Sequence, residues 1–68
     1  MTKFTIILED GSIFKDVCVK MGRTYANTNS DIYWYLRENN ELELVKNSKS
    51  IFINKNNIYY FTLSKNYN

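Results

Sequence analysis

The stretch Lys3-Phe-Thr-Ile-Ile-Leu-Glu-Asp-Gly-Ser-Ile-Phe-Lys-Asp-Val-Cys-Val-Lys20 decides the fold. Two runs rich in β-branched and aromatic residues flank Asp10-Gly11. An Asp-Gly pair in that setting predicts a two-residue type I′ hairpin, because both central residues must take positive φ. That loop sets Leu8 opposite Ile13, Ile6 opposite Lys15 and Phe4 opposite Val17. One face then carries Phe4, Ile6, Leu8, Ile13, Val17 and Val19, and the other carries Ile7, Phe14 and Cys18. The first run is apolar on both faces over part of its length, which suits a central or barrel-forming strand. Lys15 falls on the apolar face. A β-bulge beside it, or a side chain snorkelling to water, relieves the conflict.

Downstream, Gly22 to Ser30 has no period and reads as a loop, the longest irregular stretch. Asp31-Ile-Tyr-Trp-Tyr-Leu-Arg-Glu38 fits two patterns. As a strand it puts Ile32, Trp34 and Leu36 on one face and Tyr33, Tyr35 and Arg37 on the other. As a helix it has Ser30 or Asp31 as N-cap, a stripe of Ile32, Tyr35 and Leu36, and Asn39 as its stop. Three aromatics in a row favour the strand. Glu41-Leu-Glu-Leu-Val-Lys46 is the next strand. Its pairing with 31–38 calls for a three-residue turn with a left-handed Asn. After a polar loop at 47–50, Ile51–Asn54 and Ile58–Ser64 form a final hairpin, and the tail 65–68 frays.

Short strands with turn signals about every 8–12 residues predict an all-β fold. At 68 residues the chain holds one domain, 1–68. The expected form is a small SH3-like meander barrel of five to six short antiparallel strands, whose closure removes free edges. The alternative is α+β with residues 31–38 helical.

Composition narrows the chemistry. The chain is 44% hydrophobic and 16% aromatic, enough to build a core. It has no His and no Pro, one Cys and two Gly. Cys18 cannot form an internal disulfide, and no Cys/His zinc site is available. The two glycines lie eleven residues apart, so there is no phosphate-cradling loop. Asp10 reads as a turn former, Glu41 and Glu43 as a solvated rim, and Cys18 as a small half-buried apolar residue. These features predict a non-enzymatic protein without cofactor or metal. No signal-peptide core or membrane-spanning run is present, so the chain is expected to be complete, soluble and cytoplasmic, with no membrane partner. The abundance of Asn, Lys, Ile and Tyr reflects A/T-rich coding.

Two surfaces stand out. Tyr33, Tyr35 and Arg37 project together if 31–38 is a strand. They form a candidate protein-binding face, with Arg23 and Tyr25 of the preceding loop beside it. The second surface arises from charge asymmetry. Residues 1–43 carry −2, whereas 44–68 carry four lysines and no acid, giving +4. Lys46, Lys49 and Lys55 with Tyr59 and Phe61 are a candidate single-stranded nucleic-acid surface, with rings for stacking and cations for phosphate. The net charge of +2 is small for that role. The leading expectation is therefore a binding module for a larger protein or nucleoprotein. Small A/T-rich reading frames are common in phages and mobile elements, where many encode inhibitors that occlude a host macromolecule. Nucleic-acid binding is the alternative, and a homodimer through unpaired edges is compatible with both.

Overall fold

The computed structural model describes residues 1–64. The tail expected to fray, 65–68, lies outside them. Six strands are present: β1 (Phe4–Leu8), β2 (Ile13–Met21), β3 (Thr24–Tyr25), β4 (Glu41–Lys46), β5 (Lys49–Asn54) and β6 (Ile58–Leu63). One helix, α1 (Asn29–Glu38), joins β3 to β4, and a 3₁₀ turn (Lys55–Asn57) joins β5 to β6. The strands form one bent antiparallel sheet in the order β5-β4-β2-β1-β6, with β3 beside the end of β2. The fold is mainly β and barrel-like, as the strand patterning predicts.

β2 is shared by both halves of the sheet. Its first half pairs with β1, and its second half pairs with β4 on one side and β3 on the other. The bend between the halves is built from a bulge. Asp16 takes φ 58°, and the β1–β2 register shifts between Phe4 and Ile6. The bulge falls beside Lys15, where the sequence calls for one. The Lys46 ammonium donates to the Lys15 carbonyl at 2.7 Å.

The β1–β2 turn departs from the type I′ expectation. Gly11 has φ 91°, but Asp10 is not left-handed. The Gly11 N–H donates to the Leu8 carbonyl, and the Leu8 N–H to that of Ser12. The loop is thus three residues, a type I turn followed by a left-handed Gly. The Asp10 carboxylate accepts from the Ser12 N–H at 2.9 Å, and that bond holds its pKa below the usual aspartate value. The extra loop residue slips the register by one. Ile6 pairs with Phe14 and Ile7 with Ile13. Phe14 therefore packs on the core and Ile13 points outward, 61% exposed, the reverse of the expected faces. The bulge restores the lost residue, so Phe4 still faces Val17.

The type I′ turn lies instead at Asn47-Ser48. Both residues have positive φ, and Lys46 pairs with Lys49 across them. Neither Asn39 nor Asn40 is left-handed, and Asn39 is extended at φ −131°. The terminal hairpin is also corrected. β5 pairs with β4 and β6 with β1, so the two strands sit at opposite ends of the sheet path. Among the described residues the path does not close on itself, and free edges survive where closure was expected to remove them.

The core is Phe4, Ile6, Val17, Val19, Ala26, Ile32, Leu42 and Leu44, all buried. Leu8, Phe14, Ile53, Ile58 and Phe61 pack around it. Alternation along β1, β2 and β4 supplies six of the eight side chains, and Ala26 comes from the loop after β3. The remaining one that is neither strand-borne nor loop-borne is Ile32, sent in by the helix.

Candidate interaction surface

Residues 31–38 are helical, which corrects the strand reading. The reason is local. Thr28 is the N-cap, and its hydroxyl accepts from the Asp31 N–H at 3.1 Å. The Asp31 carboxylate reaches back to the Asn27 and Thr28 N–H groups at 2.8 and 3.1 Å. This capping box satisfies donors that the first helical turn leaves open. The Asn27 N–H leads in holding the Asp31 pKa down; partial desolvation opposes it and Thr28 adds to it. At the other end the Asn39 side-chain amide donates to the Tyr35 carbonyl at 2.9 Å, and the Lys55 ammonium donates to the Leu36 carbonyl at 3.2 Å. A cation at a helix C-terminus also suits the helix dipole.

At 100° per residue, Ile32, Tyr35 and Leu36 share one face of α1, and Tyr33, Trp34 and Arg37 share the other. The burial follows that division. Ile32 is fully buried, and Tyr35 and Leu36 pack on the core. Tyr33 is 56% and Trp34 61% exposed. The outer three touch one another. The Arg37 guanidinium lies 4.9 Å from the centroid of the Trp34 ring, and the Tyr33 ring meets Trp34 edge-on at 5.8 Å.

The expected trio Tyr33, Tyr35 and Arg37 therefore loses Tyr35 to the core and gains Trp34. The signal for Trp34 was the Thr28-x-x-Asp31 capping box, which places the N-cap two residues before Ser30, or three before Asp31, the caps read from the sequence. Arg23 is exposed in the β2–β3 turn, where Gly22 supplies the positive φ of the first turn residue. Tyr25 is half-buried on β3 beside Lys20. Both lie on elements separate from α1.

The Lys/aromatic set is dispersed. Lys46 and Lys49 flank the β4–β5 turn, and Lys55 is tied to the helix end. Tyr59 is exposed on β6, while Phe61 pairs with Ile6 and packs on the core. A hollow of about 420 Å³ lies between the end of α1 and β4–β5, lined by Tyr35, Asn39, Glu43 and Phe52 among others. Cys18 is half-buried opposite Val45. Among the described residues no helix is long and apolar enough to cross a membrane, and no three His, Cys, Asp or Glu side chains are grouped to hold a metal. Comparison with known proteins finds no matching family model, curated sequence or solved structure, so the functional reading rests on this geometry.

Proposed function

We propose that this chain is a small non-enzymatic binding module that docks on a larger protein through the outer face of α1 and acts there by occlusion. The observation that carries the reading is Trp34, 61% exposed on a rigid helix and flanked by Tyr33 and Arg37. Trp, Tyr and Arg dominate the energetic centres of protein interfaces. Covering the exposed part of a Trp ring contributes about 2–4 kcal/mol at ~25 cal/mol per Å². The Arg37 contact and the helix hold that ring in place, which lowers the ordering cost of docking. The protein performs no chemistry of its own. Its sequence has no His, and the two carboxylates with lowered pKa are committed to a turn and a helix cap.

The nucleic-acid alternative has weaker support. Its lysines and rings fall on different elements, and two of the three lysines donate to backbone carbonyls. Capture from nuclease-treated native-host lysate, followed by titration of the purified partner, tests the proposal. Trp34→Ala should weaken binding at least tenfold, and the triple change of Lys46, Lys49 and Lys55 to Ala should leave it within about twofold. A partner indifferent to Trp34→Ala, or one lost only with the lysines, refutes the α1 face. Oligonucleotide binding that weakens steeply with salt would establish the alternative.

A further inference from the structure

We infer that the free edge of β5 is a self-association site, at which two copies pair antiparallel through Lys49–Ile53 about a two-fold axis at Ile51. The β5 edge is separate from the outer face of α1 and shares no residue with it.

The backbone ladder identifies what the edge offers. β4 and β5 pair in one register from Glu41–Asn54 to Lys46–Lys49, and the Lys55 N–H continues it to the Asn40 carbonyl at 2.8 Å. Hydrogen-bonded and non-hydrogen-bonded pairs alternate along an antiparallel ladder. Because Asn40 and Lys55 are bonded, so are Leu42 with Ile53, Leu44 with Ile51 and Lys46 with Lys49. Ser50, Phe52 and Asn54 therefore direct their backbone groups away from β4. Among the described residues no strand meets them.

Natural edges are usually guarded by charge, proline or a bulge. Between Lys49 at the start of the strand and Lys55 just beyond it, residues 50–54 contain no charge and no proline, and their pairing with β4 is regular. Their side chains are also incompletely covered. Ile51 is on the core side of the sheet yet 41% exposed, and Phe52 on the outer side is 60% exposed. A flanking strand would cover both.

Charge selects the occupant's register. Outward-facing residues must pair with outward-facing residues, which permits an axis at Ile51 or at Phe52. An axis at Phe52 sets Lys49 opposite the partner's Lys55, a like-charge pair. An axis at Ile51 sets Lys49 opposite the partner's Ile53, whose apolar surface its aliphatic stem can cover. Ser50 then exchanges hydrogen bonds with the partner's Phe52, and the two Ile51 side chains meet at a close, non-hydrogen-bonded position. The interface is isologous, so it closes as a dimer.

Sedimentation and light scattering over a concentration series test the inference. The wild-type mass should rise from 8.1 kDa toward twice that value. Ile51→Lys sets two ammonium groups face to face and should raise the dimer dissociation constant more than tenfold, with an unchanged circular-dichroism spectrum. Leu63→Lys, on the β6 edge, should leave it within twofold. In a Cys18→Ser background, Ile51→Cys should form a disulfide-linked dimer and Phe52→Cys should not. A wild-type mass fixed at 8.1 kDa throughout overturns the inference. So does dissociation by Leu63→Lys but not Ile51→Lys, or cross-linking through Phe52→Cys in place of Ile51→Cys.

Discussion

Ile32 and Trp34 are two positions apart, and their exchange for Ala separates the helical arrangement from any strand one. In a strand both point the same way, and both truncations strike the core. In α1 they point apart. Ile32 is fully buried, so Ile32→Ala opens a cavity beneath the helix and should cost about 2–5 kcal/mol. A chain of this size has a total stability of about 3–10 kcal/mol. The loss is therefore a large share, equivalent to a melting-temperature drop of at least about 8 °C. Trp34→Ala forfeits a cation–π contact of about 0.5–1 kcal/mol at an exposed site. The higher helix propensity of Ala returns up to about 0.7 kcal/mol. The net change should stay within about 1 kcal/mol. A buried Trp in a strand would cost about 3–5 kcal/mol instead. Urea titrations followed by far-ultraviolet circular dichroism read both variants on one scale. Equal, large losses at the two positions would refute the helical assignment and the α1 surface with it.

Other perturbations address the devices that hold the fold. Thr28→Ala removes the acceptor of the Asp31 N–H and should cost about 1 kcal/mol, with reduced ellipticity at the helical minimum. Asp31 has a folded pKa below its unfolded one, so its stabilisation is fully present above the unfolded value of about 3.9 and disappears as pH falls through the folded value. Acid titration of the melting temperature should be shallower in Asp31→Asn; an identical slope would rule out that coupling. Ser48→Gly should stabilise the protein by about 0.5–1 kcal/mol in thermal melts, because φ 63° strains a Cβ-bearing residue and Asn-Gly is the favoured type I′ pair.

Much of the sheet could be read from alternation alone. Phe4, Ile6, Val17, Val19, Leu42 and Leu44 are core because every second position of three strands is apolar. The bulge near Lys15 was legible because a charge cannot stay on a buried face. What failed were local decisions with nearly equal alternatives. Asp10-Gly11 serves a three-residue turn as readily as a two-residue one, and that single residue exchanges Ile13 for Phe14 in the interior. Ile32-Tyr-Trp-Tyr-Leu36 has strand propensity, but the capping box at Thr28 and Asp31 and burial of the Ile32 stripe outweigh it. Ile51–Asn54 and Ile58–Leu63 look like neighbours because they are consecutive. Their separation depends on β1 lying free to receive β6, which no short-range pattern records. The site suffered accordingly: Tyr33 and Arg37 survived a change of period from two to 3.6, and Tyr35 and Trp34 traded places.

The ladder between β1 and β6 has a kinetic consequence. It joins positions so far apart that Thr5 and Ser64, 59 residues from one another, hold their hydroxyl groups 2.9 Å apart. The β4–β5 ladder, by contrast, closes over Asn47 and Ser48 alone. Each doubling of a loop adds about 0.6 kcal/mol of closure entropy, so the two events differ by several such steps. Refolding must gather nearly the whole chain before the Phe4 strand gains its second neighbour. Long-range pairing of that kind raises the contact order of the fold, which slows folding relative to a chain held by local contacts.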